Sequence, residues 1–208
     1  MKRLDDTLQK ELSGQAALVC GIDEAGRGPL AGPVAAAACV LPEGLIIEGL
    51  NDSKKLSPKK REELDGVIRQ KALAFCVATA SVEEIDRLNI LEATLLAMRR
   101  AVEGLPFRPD FLLIDGNVSR SFDIPARSVV GGDALCPSIA AASILAKVWR
   151  DRYCLELDKK YPAYGFASHK GYGTKAHIEA IRRFGPTPDH RALFVSHFLP
   201  GAEKGEKE

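Results

Sequence analysis

The sequence predicts an α/β protein, a mixed β-sheet flanked by helices with a helical C-terminal part. Three features predict it. Short apolar runs of strand length interleave with helical stripes, the first two runs are joined like a hairpin by a glycine-rich link, and the pattern beyond residue 137 is mainly helical.

Residues 17–23 (Ala-Leu-Val-Cys-Gly-Ile-Asp) form the first expected strand and residues 33–41 the second. Ser57-Pro58 marks a helix start, with serine as cap and proline at the first helical position, and Leu64, Val67 and Ile68 keep helical spacing after it. Residues 73–80 read as another strand. Ser81 and Glu84 make a capping-box pattern that opens a helical stretch, and Ile90, Leu91, Leu95, Met98 and Val102 form a stripe closed by Gly104. Phe111–Ile114 is a short apolar strand ending in Asp115-Gly116, and 126–130 is a further strand candidate. A long helix is expected from about Pro137 to Lys159, stopped by Pro162, and a last one over about 174–184, closed by Gly185-Pro186. The Gly/Glu/Lys tail, 201–208, is expected to fray.

At 208 residues the chain suits one domain, taken as 1–200 with about 160–200 as the helical extension. Its 46% hydrophobic and 27% charged residues argue against disorder. The longest apolar run, Val34–Leu41, is eight residues, far below the ~20 that cross a bilayer. The N-terminus meets Asp5 and Asp6 before any apolar centre of a signal peptide can form, so a cytoplasmic location is expected. Cys20, Cys39, Cys76, Cys136 and Cys154 make no C-x-x-C pair and read as reduced core thiols. Net charge is only +1, but residues 147–192 carry ten Lys/Arg against five Asp/Glu, and Lys54, Lys55, Lys59, Lys60 and Arg61 form a second basic cluster. Such patches can track phosphates, although most charge runs are solvated helix faces.

The sharpest local feature is Gly21 to Pro33, where Asp23 and Glu24 close an apolar strand and lead into glycines at 26, 28 and 32. Strand neighbours point to opposite faces, so either the strand ends between the two acids or the glycines bend the chain. An isolated Asp-Glu pair is more often a strand end beside a solvated glutamate. Here Asp115 closes a second apolar strand, and Asp133 follows Ser-Val-Val-Gly-Gly. Acids at the ends of several core strands converge on one sheet edge. Clustered carboxylates raise one another's pKa unless a cation neutralises them, and hard oxygen ligands select Mg²⁺ or Mn²⁺. Such ions in pairs cleave phosphodiesters.

Gly26-x-Gly28 fails the dinucleotide fingerprint, because Pro29 and Pro33 oppose a helix and the third glycine falls at 32. The histidines at 169, 177, 190 and 197 never fall at i, i+4, which argues against a zinc hydrolase. Gly171-x-Gly173 before the last helix could hold a phosphate. By default Tyr172 is a half-buried loop aromatic, but between two glycines it has little to pack on. Asp151 and Asp158 read as surface charges on the long helix.

Six segments together resemble the bacterial ribonuclease HII family. They are GIDEAGRGPLAGPV (21–34), LNDSKKLS (50–57), LNILEATLLAM (88–98), LIDGN (113–117), GDALCPSIAAASILAKVWRD (132–151) and YGFASHKGYGT (164–174). The resemblance implies a ribonuclease H-like fold, a five-stranded mixed sheet flanked by helices with a helical C-terminal extension. It also implies a monomer that acts on RNA–DNA hybrids and on duplex DNA containing ribonucleotides. With divalent Mn²⁺ or Mg²⁺, such an enzyme cuts the RNA strand, also 5′ of a lone ribonucleotide, and leaves a 3′-hydroxyl and a 5′-phosphate.

By motif, Asp23, Glu24, Asp115 and Asp133 match the family's metal-binding, catalytic carboxylates. Gly26, Arg27 and Gly28 match the loop that senses the ribose 2′-hydroxyl and the junction phosphate. Lys54 matches a phosphate contact and Tyr172 the tyrosine that packs on the junction sugar. Two departures stand out. Gly131 replaces the usual lysine before the last glycine of its motif, and His190-Arg191-Ala192-Leu193-Phe194 lacks the usual serine before the aromatic. The rivals are an integrase or resolvase type of nuclease on the same fold and a non-catalytic hybrid binder. A DNA-only nuclease has no use for a 2′-hydroxyl sensor, and a binder gains nothing from four carboxylates near phosphates.

Overall fold

In β2 (Val34–Val40) every residue is buried, as in a strand covered on both faces. It lies between β1 (Val19–Ala25) and β3 (Ala74–Ala80), antiparallel to both. On the far side of β1 lie β4 (Phe111–Asp115) and then β5 (Ala126–Val129), both parallel, giving the order β3-β2-β1-β4-β5. The computed structural model describes residues 4, 6–14, 16–118 and 122–199, and the tail expected to fray lies outside them.

The helices are α1 (Thr7–Ser13), α2 (Pro58–Lys71), α3 (Val82–Leu88), α4 (Ile90–Glu103), α5 (Pro137–Lys160), α6 (Phe166–His169), α7 (Lys175–Phe184) and α8 (Ala192–Val195). The expected caps form. Ser57 accepts from the Lys60 amide at 3.2 Å, and Ser81 and Glu84 complete their capping box. The helical stretch after Ser81 is two helices, because Asn89 at φ 70° breaks it and caps α4 with its side chain. The short helices α1, α6 and α8 carry too few turns to show a stripe.

Alternation along the strands sends Cys20 and Ile22 to one face, against Leu95 and Met98 of α4. Ala37 and Cys39 face the other side with Ile144 and Leu145 of α5 and Ile68 of α2. Gly21 lets α5 come close, since a Cβ there would lie 2.1 Å from the Ser138 carbonyl carbon. That approach brings Ser143 of α5 over the end of β1. Tyr164, Phe166, Ile181 and Val195 pack the C-terminal helices onto Leu30 and Ala31 of the glycine-rich link. Among the described residues, no helix is long and apolar enough to cross a membrane.

Candidate functional site

The first strand does not end between its two acids. It runs through both to Ala25, and the turn comes at Gly26, whose φ of +98° favours glycine. Asp23 shares the α5 face with Gly21, and Glu24 points to the opposite face. The cleft wraps around the strand end, so both carboxylates line it. The last paired rung of the parallel strands is Ile22 with Ile114, so Asp23 and Asp115 follow side by side on strands roughly 4.8 Å apart. Asp133 sits just past β5 in a 3-10 turn over Gly132–Ala134.

The open cleft measures about 220 Å³ and is lined by Asp23, Glu24, Gly26, Arg27, Gly28, Lys54 and Tyr172, together with Ser143, Lys147, Arg150, Asp151 and Lys170. Asp115 and Asp133 lie outside this wall but are linked to it electrostatically. Burial pushes the Asp23 carboxyl well up, and the charges of Glu24 and Asp115 push it further. Glu24 is raised first by burial and then by Asp115, against the lowering effect of Arg27. Asp133 is raised to about 6 by burial and by Asp115 and Asp52. Burial works to lower Lys54, but the surrounding Asp133, Asp23, Asp52 and Asp115 outweigh it and hold the ammonium charged. This is the electrostatics of an anion cluster short of positive charge.

Three of the four carboxylates also have a local partner. Asp23 accepts from the Glu24 amide at 2.7 Å, Asp115 accepts from the Gly132 amide at 2.7 Å, and Glu24 pairs with Arg27 at 3.5 Å. Turned to these partners, no three His, Cys, Asp or Glu side chains among the described residues form a ready metal cage. The donor set nevertheless fits a hard divalent cation, because it is all oxygen and its repulsion would be relieved by added positive charge.

Several contributors are not legible in the sequence. Asp52 caps the turn that carries Lys54, accepting from its amide at 2.8 Å, and adds a further carboxylate beside Asp133. Asp151 is not a plain surface charge. It lines the cleft and pairs with Arg61 at 3.3 Å and with Lys147. Asp158 is likewise engaged, accepting from the Ala167 amide at 2.9 Å. The segment that departs from the family pattern at residues 190–194 supplies Arg191, whose side chain reaches the carbonyls of the glycine loop. Tyr172, 49% exposed, stands over Gly28.

Known proteins share both the sequence and the fold. The family described as Ribonuclease HII matches residues 20–199. The chain belongs to the ribonuclease HII family. It is 62% identical to the Ribonuclease HII of Laribacter hongkongensis over 85% of this chain and 90% of that protein, and 59% identical to that of Verminephrobacter eiseniae over 89% and 90%. The crystal structure of the ribonuclease H2 from Pyrococcus horikoshii superposes with a TM-score of 0.69 at 27% identity, covering 87% of this chain and 98% of that one. As a ribonuclease HII family member the chain is an endoribonuclease on a ribonuclease H-like fold, and the integrase and resolvase reading falls away.

Proposed function

We propose that this ribonuclease HII family member hydrolyses the RNA strand of RNA–DNA hybrids and cuts duplex DNA 5′ of single embedded ribonucleotides, leaving a 3′-hydroxyl and a 5′-phosphate. The observation that carries the reading is the meeting of mutually repelling carboxylates, at the ends of β1 and β4 and just past β5, with a glycine loop whose backbone is open to the cleft. Asp23, Glu24, Asp115 and Asp133 would hold Mg²⁺ or Mn²⁺. Bound there, a pair of such ions would supply Lewis-acid activation of water and stabilisation of the leaving oxygen.

The chain's own residues do the rest. Gly26 turns the chain and Gly28 leaves the backbone bare on the cleft side, so that the loop amides can donate to the oxygen of a 2′-hydroxyl. Arg27 offers a planar fork to the adjacent phosphate. Lys54, held charged by its acidic neighbours, offers a point charge to another phosphate. Tyr172 presents a flat face for the neighbouring sugar. On the same reading the protein works in the cytoplasm as a monomer, with residues 1–200 as a single catalytic domain. The test is incubation of an RNA–DNA hybrid, single-stranded RNA and duplex DNA with Mg²⁺ or with EDTA. Cleavage of the RNA strand of the hybrid alone, abolished by EDTA, is expected, and equal cutting of the DNA duplex would overturn the reading.

A further inference from the structure

The glycine loop is gripped from behind by two buried arginines. Arg191 is fully buried and spans the turn, with Nε donating to the Gly32 carbonyl at 2.9 Å, Nη1 to the Arg27 carbonyl at 2.8 Å and Nη2 to the Gly26 carbonyl at 2.5 Å. Arg150 is 3% exposed and donates from Nη2 to the Ala31 carbonyl at 2.9 Å and from Nη1 to the Cys154 sulfur at 3.2 Å. Its Nε is buried without any hydrogen-bond partner, and it occupies the space beside Gly26, where a Cβ would lie 1.9 Å away. Among the described residues neither guanidinium pairs with a carboxylate.

Burying a cation without a directly paired counter-ion is unfavourable, and the carbonyl dipoles, with the charge of nearby Asp86 acting on Arg191, offset only part of that cost. Burial and the nearby Arg150 lower the Arg191 pKa to about 9, which still leaves it charged at neutral pH. The loop therefore has a positive floor and inward carbonyls. On its outer side Arg27 and Gly28 are exposed, and their amides have no acceptor among the described residues. One side of the loop is saturated, and the other is left free for a ligand that accepts hydrogen bonds.

We propose that Arg191, backed by Arg150, is a positioning residue that sets the amides of the glycine loop toward the cleft, so that the discrimination of ribose from deoxyribose depends on a side chain buried beneath the loop. The proposal deepens the reading of this cleft as a ribose sensor and rests on it. The carbonyls of Gly32, Arg27 and Gly26 each meet a different nitrogen of the rigid guanidinium fork, and a single ammonium cannot span them. Arg191→Lys thus keeps the charge and removes the geometry.

The experiment measures binding by fluorescence anisotropy to one DNA duplex with and without a single ribonucleotide, with Ca²⁺ in place of Mg²⁺ to hold cleavage. Arg191→Lys and Arg150→Lys are compared with the parent, alongside their melting curves. The parent should prefer the ribonucleotide duplex, and Arg191→Lys should reduce that preference about tenfold, the worth of roughly one charge-assisted hydrogen bond. Should Arg191→Lys fail to fold, Arg150→Lys is judged by the same ratio, since it loosens the same loop. A folded variant that binds both duplexes more weakly by one common factor overturns the proposal and leaves the arginine a structural part. A parent with no preference between the duplexes overturns the ribose-sensor reading itself, a failure read in the parent before any variant is considered.

Discussion

Gly28→Ala separates a loop that is small for the protein's sake from one that is small for the substrate's. A Cβ at Gly28 would meet only Tyr172 Cε1, at 3.5 Å, which is ordinary contact, and its φ is not in the left-handed region. The fold thus loses nothing. A less flexible unfolded chain adds ~0.4–1 kcal/mol, raising Tm by up to about 4 °C in a domain of this size. Gly26→Ala is the contrast, because φ +98° is strained for alanine and the Cβ would collide with Arg150. That change should cost on the order of 2–4 kcal/mol and lower Tm by roughly 5–15 °C. Steady-state cleavage of a single-ribonucleotide duplex and of an RNA–DNA hybrid is then measured for Gly28→Ala. If the backbone approaches the sugar within van der Waals contact, the added methyl should lower kcat/KM on both substrates by about tenfold or more, with Tm unchanged or higher. Parental rates on both substrates would refute the close approach and reduce the loop to a turn.

Asp23→Asn and Asp115→Asn should each leave less than about a tenth of parental cleavage, while the metal-free variant melts no lower than the metal-free parent, because one repulsive charge has gone. A lower melting point would show these carboxylates to be structural. Asp133→Asn should cripple cleavage, whereas Asp151→Asn should act mainly on stability, costing about 1–3 kcal/mol by leaving the buried Arg61 with one partner fewer. Equal activity losses at saturating Mg²⁺ and unchanged melting would reverse that assignment. His177 and His190 are both lowered to about 4, first by burial, so the fold favours their neutral forms. Their contribution is complete above the unfolded pKa of about 6.5 and is lost as pH falls toward 4, at most on the order of 3 kcal/mol each. The melting temperature of His177→Gln should therefore depend less steeply on pH between those limits than that of the parent, and parallel profiles would contradict the assignment.

The strands that place Asp23 and Asp115 were legible because apolar runs of strand length end on an acid in both. Their adjacency was not, since it needs the parallel pairing of Ile22 with Ile114, ninety-two residues apart in sequence. The loop's supports were hidden for the same reason. Arg191 contacts carbonyls of Gly26 and Arg27 that lie 165 and 164 residues away. The place of Asp151 in the cleft is not legible, because a position on a helix does not say which face another element will cover. The histidines looked scattered in sequence, yet His169 stacks on His177 at 4.3 Å and His177 meets His190 at 3.0 Å beneath Tyr172, whose carbonyl His177 holds. Helix caps were legible because they are local. Asn89 was missed because a left-handed asparagine leaves no mark on hydrophobic periodicity.

The most direct test of the account is cleavage of a DNA duplex carrying one ribonucleotide, end-labelled on the ribonucleotide strand, with Mg²⁺, with EDTA, and with Asp23→Asn in Mg²⁺. The account predicts a single incision on the 5′ side of the ribonucleotide, a 3′-hydroxyl on the upstream fragment, and no product with EDTA or with the variant. Incision that persists in EDTA, or cutting of the matched all-DNA duplex at a similar rate, would contradict it.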